Sequence, residues 1–208
     1  MNQALADLGD YIGTVLMDTV TESRVAHDEL TVVAARDAVP QVLSTLRDDV
    51  NLYFRVLIDL CGVDYPGREP RFDVVYHLLS LKHNQRIRVV TRTDAHTPVP
   101  TVTHLYSAAT WFERECWDMY GVLFADNPDL RRMLSDYGFE GHPLRKDFPL
   151  SGHTQVRYDE TQKRVVYEPV NLTQEYRDFD FLSPWEAMTA MPGDTVLSGR
   201  DDSAEGEA

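Results

Sequence analysis

Eleven consecutive residues, Trp111-Phe112-Glu113-Arg114-Glu115-Cys116-Trp117-Asp118-Met119-Tyr120-Gly121, hold three carboxylates, one arginine and four large aromatics. Glu115 and Asp118 stand three apart, so a helix would set them on one face. Paired carboxylates can move a proton or hold a hard cation. The patch offers no His, Ser, Thr or Lys to serve as base or nucleophile beside them. The preferred reading is structural: the aromatics anchor a helix to a sheet while Arg114 and the neighbouring charges satisfy backbone or partner groups.

Seven histidines (His27, His77, His83, His96, His104, His142, His153) raise a metal hypothesis, but no HExxH occurs and no two stand at i, i+4. No GxGxxG follows a strand and no GxxxxGK[ST] is present, so no nucleotide or flavin loop is legible. The two cysteines, Cys61 and Cys116, form neither a CxxC pair nor an iron–sulfur spacing. They suit a reducing compartment. Residues 131–149 set Arg131, Arg132, Arg145 and Lys146 against Asp136, Glu140 and Asp147, a basic island in a chain of formal net charge −14. It can clamp a partner's carboxylates or close an internal salt-bridge network. Both readings stay open at the level of sequence.

The 208 residues are 43% hydrophobic and 26% charged, ordinary for a globular protein with a core of useful size. The acidic balance repels nucleic-acid phosphates and supplies no polybasic patch for anionic lipid. The N-terminus has Asp7 and Asp10 in its early apolar stretch and no basic start, unlike a secretory signal. No window reaches the ~18 apolar residues of a spanning helix. Work at a membrane would need another protein to hold the chain there.

Apolar spacing predicts a helix over 3–17 and a strand over 29–34. A second helix follows, with Asp37 expected as N-cap, Pro40 in the first turn, and Val39, Val42, Leu43 and Leu46 on one face. Three strands are expected next. Leu52–Leu60 should put Phe54, Val56, Ile58 and Leu60 on one side. Phe72–Leu81 should do so with Phe72, Val74, Tyr76 and Leu78, and Arg86–Arg92 with Ile87, Val89 and Thr91. The polar turn Lys82-His83-Asn84-Gln85 predicts antiparallel pairing of the last two. A helix from Ser107 should end at Gly121. Residues 94–104 and 121–150 read as loops. The fold class is α+β: an antiparallel sheet with helices on one face, followed by a long extended C-terminal tail.

The domain boundary is expected near residue 150, with an extended strip over 151–192 and an acidic end over 193–208 expected to be disordered. A small hairpin around Asp159-Glu160-Thr161 is expected inside the strip. Residues 150–208 carry twelve acids against five bases, too little apolar density for a core of their own. They still spend Tyr158, Tyr167, Tyr176, Phe179, Phe181 and Trp185. Such aromatics suit pockets on another surface. A strip of ~35 extended residues reaches over ~100 Å, more than one small domain needs.

Residues 113–124 and the run from Asn127 through Pro128-Asp129-Leu130-Arg131-Arg132 to Gly152 closely resemble the signature region of the 30 kDa subunit family of respiratory complex I. Residues 164–172 and 175–186 are similar to its proteobacterial and mitochondrial branch, and the resemblance spans about residues 25–187. Asn127 departs from the family, which has His there. The resemblance implies a compact α+β domain in the hydrophilic arm of an NADH:quinone oxidoreductase. It implies binding to the 49 kDa (D) subunit and the B-type subunit, with the C-terminal extension wrapped along neighbours. FMN, iron–sulfur clusters and quinone would all belong to partner subunits, and this chain would have no catalytic, cofactor or metal residue. Its place would be the cytoplasmic face of a bacterial inner membrane, or the matrix side in mitochondria. By the same resemblance Glu113, Arg114, Glu115, Asp118, Tyr120 and Gly121 form a packed platform with Pro128, Asp129, Arg131, Arg132, Asp136, Gly138, Gly141, His142, Pro143, Arg145, Lys146 and Asp147. Tyr167, Phe179, Phe181 and Trp185 form the docking strip. The competing class is a stand-alone hydrolase or metalloenzyme using Glu115 or Asp118 with a distant histidine. A third reading keeps the scaffold but changes its host to a membrane-bound hydrogenase or a ferredoxin-linked complex.

Overall fold

Alternation of apolar residues along three strands builds the centre of the molecule, in a computed structural model that describes residues 3–177. The elements run α1 (Gln3–Val15), β1 (Val20–Ala26), β2 (Glu29–Ala34), a 3-10 turn at Arg36–Ala38 and α2 (Val39–Asp48). Then come β3 (Val56–Asp64), β4 (Phe72–Ser80), β5 (Gln85–Thr93), β6 (Val99–Pro100), α3 (Ala109–Tyr120), β7 (Phe124–Ala125), β8 (Thr154–Asp159) and β9 (Arg164–Pro169). Two compact units divide between His153 and Thr154.

In the first unit the main sheet has the order β1-β2-β5-β4-β3. Phe72, Val74, Tyr76 and Leu78 of β4 and Ile87, Val89 and Thr91 of β5 are all buried on one face, as the alternation predicts. Leu30, Val32 and Ala34 of β2 join them. All three helices feed the same cluster: Ile12 from α1, Val39, Val42, Leu43 and Leu46 from α2, Ala109 and Cys116 from α3. Each fully buried Val, Leu, Ile or Phe of this set contributes about 1.5–3 kcal/mol in transfer free energy, so this shared face decides the fold. The architecture is α+β, with the helices on one face of a mostly antiparallel sheet.

Several expectations need correction. The sheet is mixed, because β2 runs parallel to β5 (Leu30 opposite Ile87). The chain crosses from β2 through α2, β3 and β4 before it returns. β1 was not foreseen. It pairs antiparallel with β2 through the two-residue loop His27-Asp28, both at positive φ (53° and 59°), the backbone of a mirror-image hairpin turn. Leu52–Leu60 shifts to Val56–Asp64, and its facing changes. A register irregularity between Leu57 and Asp59 resets the alternation, so Leu57 and Leu60 are buried while Ile58 is exposed. Asp37 does not cap α2. It sits in the 3-10 turn paired with Arg36, and the N-cap position is Ala38, which makes no side-chain cap bond. Pro40 does occupy the first turn.

Two glycines place α3. A Cβ at Gly62 of β3 would come within 2.7 Å of the Tyr120 ring and 3.1 Å of Cys116 Sγ, so the bare glycine lets the helix lie close on the sheet. Gly121, at φ +77°, is the left-handed cap, and its N–H returns to the Trp117 carbonyl at 2.8 Å.

The described part of the second unit is the β8–β9 hairpin and residues 170–177. Asp159 accepts from the N–H groups of Thr161 and Gln162 and shapes the turn, where the sequence places it. Val156 faces Tyr167 and Tyr158 faces Val165, so these four share one side of the ribbon. The other side carries Gln155, Arg157, Asp159, Arg164, Val166 and Glu168, with Arg157 paired to Glu168.

Candidate functional site

The carboxylates of the signature helix are hydrogen-bond hubs. Glu113 is fully buried. Its Oε2 accepts from Thr101 Oγ1 and Asn127 Nδ2, both at 2.7 Å, and its Oε1 from the Val102 N–H at 2.8 Å. Burial pushes its pKa up, against the pull of these donors. Asn127 Oδ1 accepts the Asp129 N–H at 2.8 Å, so this residue both ties the loop to Glu113 and shapes the Pro128-Asp129 turn. A side chain with one donor and one acceptor meets both needs, which rationalises asparagine at a position where the resembled family has histidine.

Asp118 is also fully buried. Its Oδ2 accepts the N–H groups of Met133 (3.0 Å), Leu134 (2.8 Å) and Ser135 (2.9 Å), and its Oδ1 takes Arg132 Nη1 at 2.8 Å. Burial opposes ionisation, but the backbone donors of Ser135, Met133 and Leu134 outweigh it and hold the carboxyl well below the usual range. These four donors occupy both oxygens. Glu115 is exposed on the same helix and makes no bond with Asp118, so the two carboxylates do not converge on a common ligand.

The last carbonyls of α3 would be orphans in an isolated helix. Here the returning loop takes them. His142 Nδ1–H donates to the Asp118 carbonyl (3.0 Å), the Leu144 N–H to Met119 (3.1 Å) and Arg145 Nε to Tyr120 (2.6 Å). Cationic groups are favoured at this negative end of the helix dipole. Arg132 also donates to the Gly141 carbonyl and lies over the Trp117 and Phe139 rings. Arg114 donates to the carbonyls of Arg131 and Arg132 and stacks on Trp111. His142 packs edge-on against Trp117. Burial, with Arg145 and Arg132 close by, lowers its pKa.

A second latch lay outside the sequence-level expectations. Arg71, at the start of β4, forks onto the fully buried Asp64 of β3 (2.6 and 2.7 Å) and onto Asp147 (2.9 and 3.1 Å). The Lys146 N–H adds 2.8 Å to Asp64 Oδ2. Thr101, Val102, Asp64 and Arg71 carry no local signature; a carboxylate at the inner end of an apolar strand was the one available hint.

Of the residues singled out from sequence, Glu113, Arg114, Asp118, Tyr120, Gly121, Asp129, Arg132, Gly141, His142, Arg145, Lys146 and Asp147 meet in this network. Arg131 pairs with Asp129 at the surface. Gly138 and Gly141 turn the loop at positive φ (72° and 94°), and Pro128, Asp136 and Pro143 lie along it. Tyr167 stands on the hairpin's apolar side. Phe179, Phe181 and Trp185 lie outside the described residues. Of the basic island's two readings, internal bonds engage Arg132, Arg145 and the Lys146 backbone. Among the described residues, no group of three His, Cys, Asp or Glu is placed to hold a metal ion, and no helix is long and apolar enough to cross a membrane.

Trp111, Leu134, Tyr137, Leu144 and Leu150 are exposed around the signature helix and its loop. On the hairpin, taken by itself, Val156, Tyr158, Val165 and Tyr167 are each more than half exposed. The arrangement can hold a surface in shape.

The family model of the respiratory-chain NADH dehydrogenase, 30 Kd subunit, matches residues 32–154. A C-type subunit of NADH-quinone oxidoreductase from Paramagnetospirillum magneticum is 60% identical over 195 residues, covering 93% of this chain and 98% of that protein. Its counterpart from Maricaulis maris is 59% identical over 200 residues, covering 96% of this chain and all of that protein. Among solved structures, a chain of the membrane-bound sulfane sulfur reductase, an archaeal respiratory membrane complex, matches with TM-score 0.60 and 26% identity over 70% of this chain and 85% of that one. The matched span contains the whole Glu113–Asp118–Arg132 network and the relatives run nearly end to end, so the chain belongs to the 30 kDa subunit family of the respiratory-chain NADH dehydrogenase.

Proposed function

We propose that this protein is a structural subunit of the peripheral arm of a proton-pumping NADH:quinone oxidoreductase, holding neighbouring subunits together and catalysing no step itself. Electrons would pass from NADH through FMN and iron–sulfur centres to quinone in partner subunits, and this chain would bind chiefly the 49 kDa and B-type subunits. It would sit at the cytoplasmic face of the membrane without entering it. The hairpin carries the reading. A lone two-stranded ribbon is marginal in water, yet this one groups Val156, Tyr158, Val165 and Tyr167 on one side, all more than half exposed. A side of that composition suits burial against another protein. The helix network supports the same view, since the buried carboxylates are consumed in holding the loop.

The test replaces Tyr158 and Val165 with serine, alongside a chain truncated after Leu150. Both variants should fold as isolated domains, by circular dichroism. Both should deplete the assembled complex on native gels of the membrane and lower NADH:quinone activity in proportion. Full assembly with either would refute the proposal. The archaeal neighbour suggests that the same scaffold serves other hosts. The roughly 60% identity to quinone-enzyme subunits over nearly the whole chain favours the quinone enzyme here.

A further inference from the structure

The main sheet ends in two edge strands of different character. At β3 the edge is closed: Leu60 and Asp64 are buried, and α3 lies close over Gly62. At β1 it is open, with Thr21, Glu22, Ser23 and Arg24 all exposed. The two-residue loop His27-Asp28 makes Ala26 and Glu29 a hydrogen-bonded pair, and bonding alternates from there along the ladder. Arg24 and Glu22 therefore turn their main-chain groups inward, to Thr31 and Val33 of β2, while Val25 and Ser23 turn theirs outward. Among the described residues β1 pairs with β2 alone, and no other hydrogen bond reaches the main chain of Ser23 or Val25. An open edge of this kind is a template for another strand.

The side chains decide which strand fits. Glu22 and Arg24 stand on the sheet face away from the helices, and neither has an ion-pair partner among the described residues. Their neighbours across β2 are Val33 and Thr31, neither charged. Ser23 lies on the helix side, where a Cβ on Gly9 of α1 would come within 2.9 Å of its Oγ. Consider a second copy of β1 running antiparallel to the first, with Ser23 opposite Ser23. The outward main-chain groups of the two serines meet. Glu22 faces Arg24 and Arg24 faces Glu22, in the non-hydrogen-bonded positions where opposed side chains lie closest. A slip of two residues either way sets Glu22 opposite Glu22 or Arg24 opposite Arg24, and like charges directly opposed repel. The strand is its own complement in one register, about a two-fold axis at Ser23. Other exposed acids lie off this contact. Asp7 and Asp10 ride on α1, on the opposite side of the sheet, and Asp18 and Asp28 stand in turns at the two ends of the paired stretch, where salt screens them.

We propose that two copies of this chain join antiparallel along β1, with Ser23 at the axis and Glu22 of each copy paired to Arg24 of the other, making one sheet of ten strands from two of five. The pairing belongs to the chain before it joins other subunits and does not depend on the assembly role proposed above. It closes an edge that a free chain otherwise offers to aggregation. Residues 21–25 of each copy form the ladder, a contact smaller than a standard interface, so the dimer is weak and reversible.

Sedimentation equilibrium of the full-length chain from ~0.01 to ~1 mM, a range that covers weak affinities, should show monomer and dimer in exchange. Arg24→Glu or Glu22→Arg replaces two attractive pairs by two repulsive ones and should weaken pairing about tenfold or more. Glu22→Arg combined with Arg24→Glu should restore it, and added salt should weaken the wild-type dimer. Ser23→Pro removes the outward N–H and leaves the ladder to β2 whole, since an edge strand tolerates proline there. It should melt near wild type and stay monomeric; if it melts early, the charge series carries the test. In the wild type, hydrogen exchange at the Ser23 and Val25 amides should slow as concentration rises. Three results overturn the proposal: a monomer at every concentration, a dimer indifferent to the single reversals or not restored by the exchanged pair, or a dimer abolished by the serine replacements at Tyr158 and Val165 while the Ser23 and Val25 amides stay open. None of these bears on depletion of the membrane complex, by which the assembly role stands or falls.

Discussion

Replacing Asp118 by asparagine removes one charge and almost no volume, and should loosen the loop after α3. The carboxylate accepts three backbone N–H groups and one arginine donor while fully shielded from solvent. Hydrogen bonds to a charged group contribute about 1.5–3 kcal/mol each, but four bonds on one carboxylate are not additive. Breaking a buried pair costs about 3–5 kcal/mol. The Arg132 side chain is 25% exposed and recovers some hydration, which puts the loss near the low end, at about 3 kcal/mol. For a chain of this size that is a fall of about 6–12 °C in Tm. Urea denaturation of the isolated chain measures it, and hydrogen exchange locates it at the amides of Met133, Leu134 and Ser135. The folded carboxyl titrates below its unfolded value of about 3.9, so its contribution is complete above that pH and disappears as pH falls through the folded value. The gap between wild type and variant should therefore hold constant from neutrality to about pH 5 and close on further acidification. Glu115→Gln, at an exposed site on the same helix, should change stability by no more than about 0.5 kcal/mol. A loss under about 1 kcal/mol for Asp118→Asn, or one matched by Glu115→Gln, would refute the reasoning.

Gly121→Ala imposes a left-handed backbone on a residue with a Cβ, and that Cβ would crowd Arg145 and come within 2.6 Å of His142. A loss of at least about 1–2 kcal/mol is expected in thermal melts. Leu43→Ala, in the fully buried row of α2, should cost about 2–5 kcal/mol by urea denaturation. His142 titrates lower in the folded chain than in the unfolded one, so its contribution is whole above about pH 6.5 and is lost as pH falls towards the folded value. His142→Gln should flatten the stability profile below that pH, and an unchanged profile would count against the assigned environment.

The pattern of the core was legible because period-two alternation carries it: Phe72 through Leu78 and Ile87 through Thr91 face as their spacing requires. Gly121 announced the end of α3 for an equally local reason. β1 was missed because Val20–Ala26 is polar on both sides and its turn, His27-Asp28, lacks the usual Asn-Gly signal. β3 was displaced because an irregularity resets facing without leaving a mark in composition. The parallel β2–β5 pair follows from a crossover, a global property that no local window holds. At the site, the cluster of charges in Glu113–Asp118 was visible as a cluster. Its partners were not, since Thr101, Asn127 and residues 133–135 meet it only through tertiary closure.

The loop after α3 is tied down on both sides of its outermost stretch, by Asp118 at residues 133–135 and by the helix carbonyls at 142–145. Between those ties hangs a short arch whose tip, Tyr137, is 95% exposed. An arch held at both feet has already given up most of its wandering. Whatever surface receives that ring meets it in a narrow range of positions, so little mobility remains to be surrendered when contact is made.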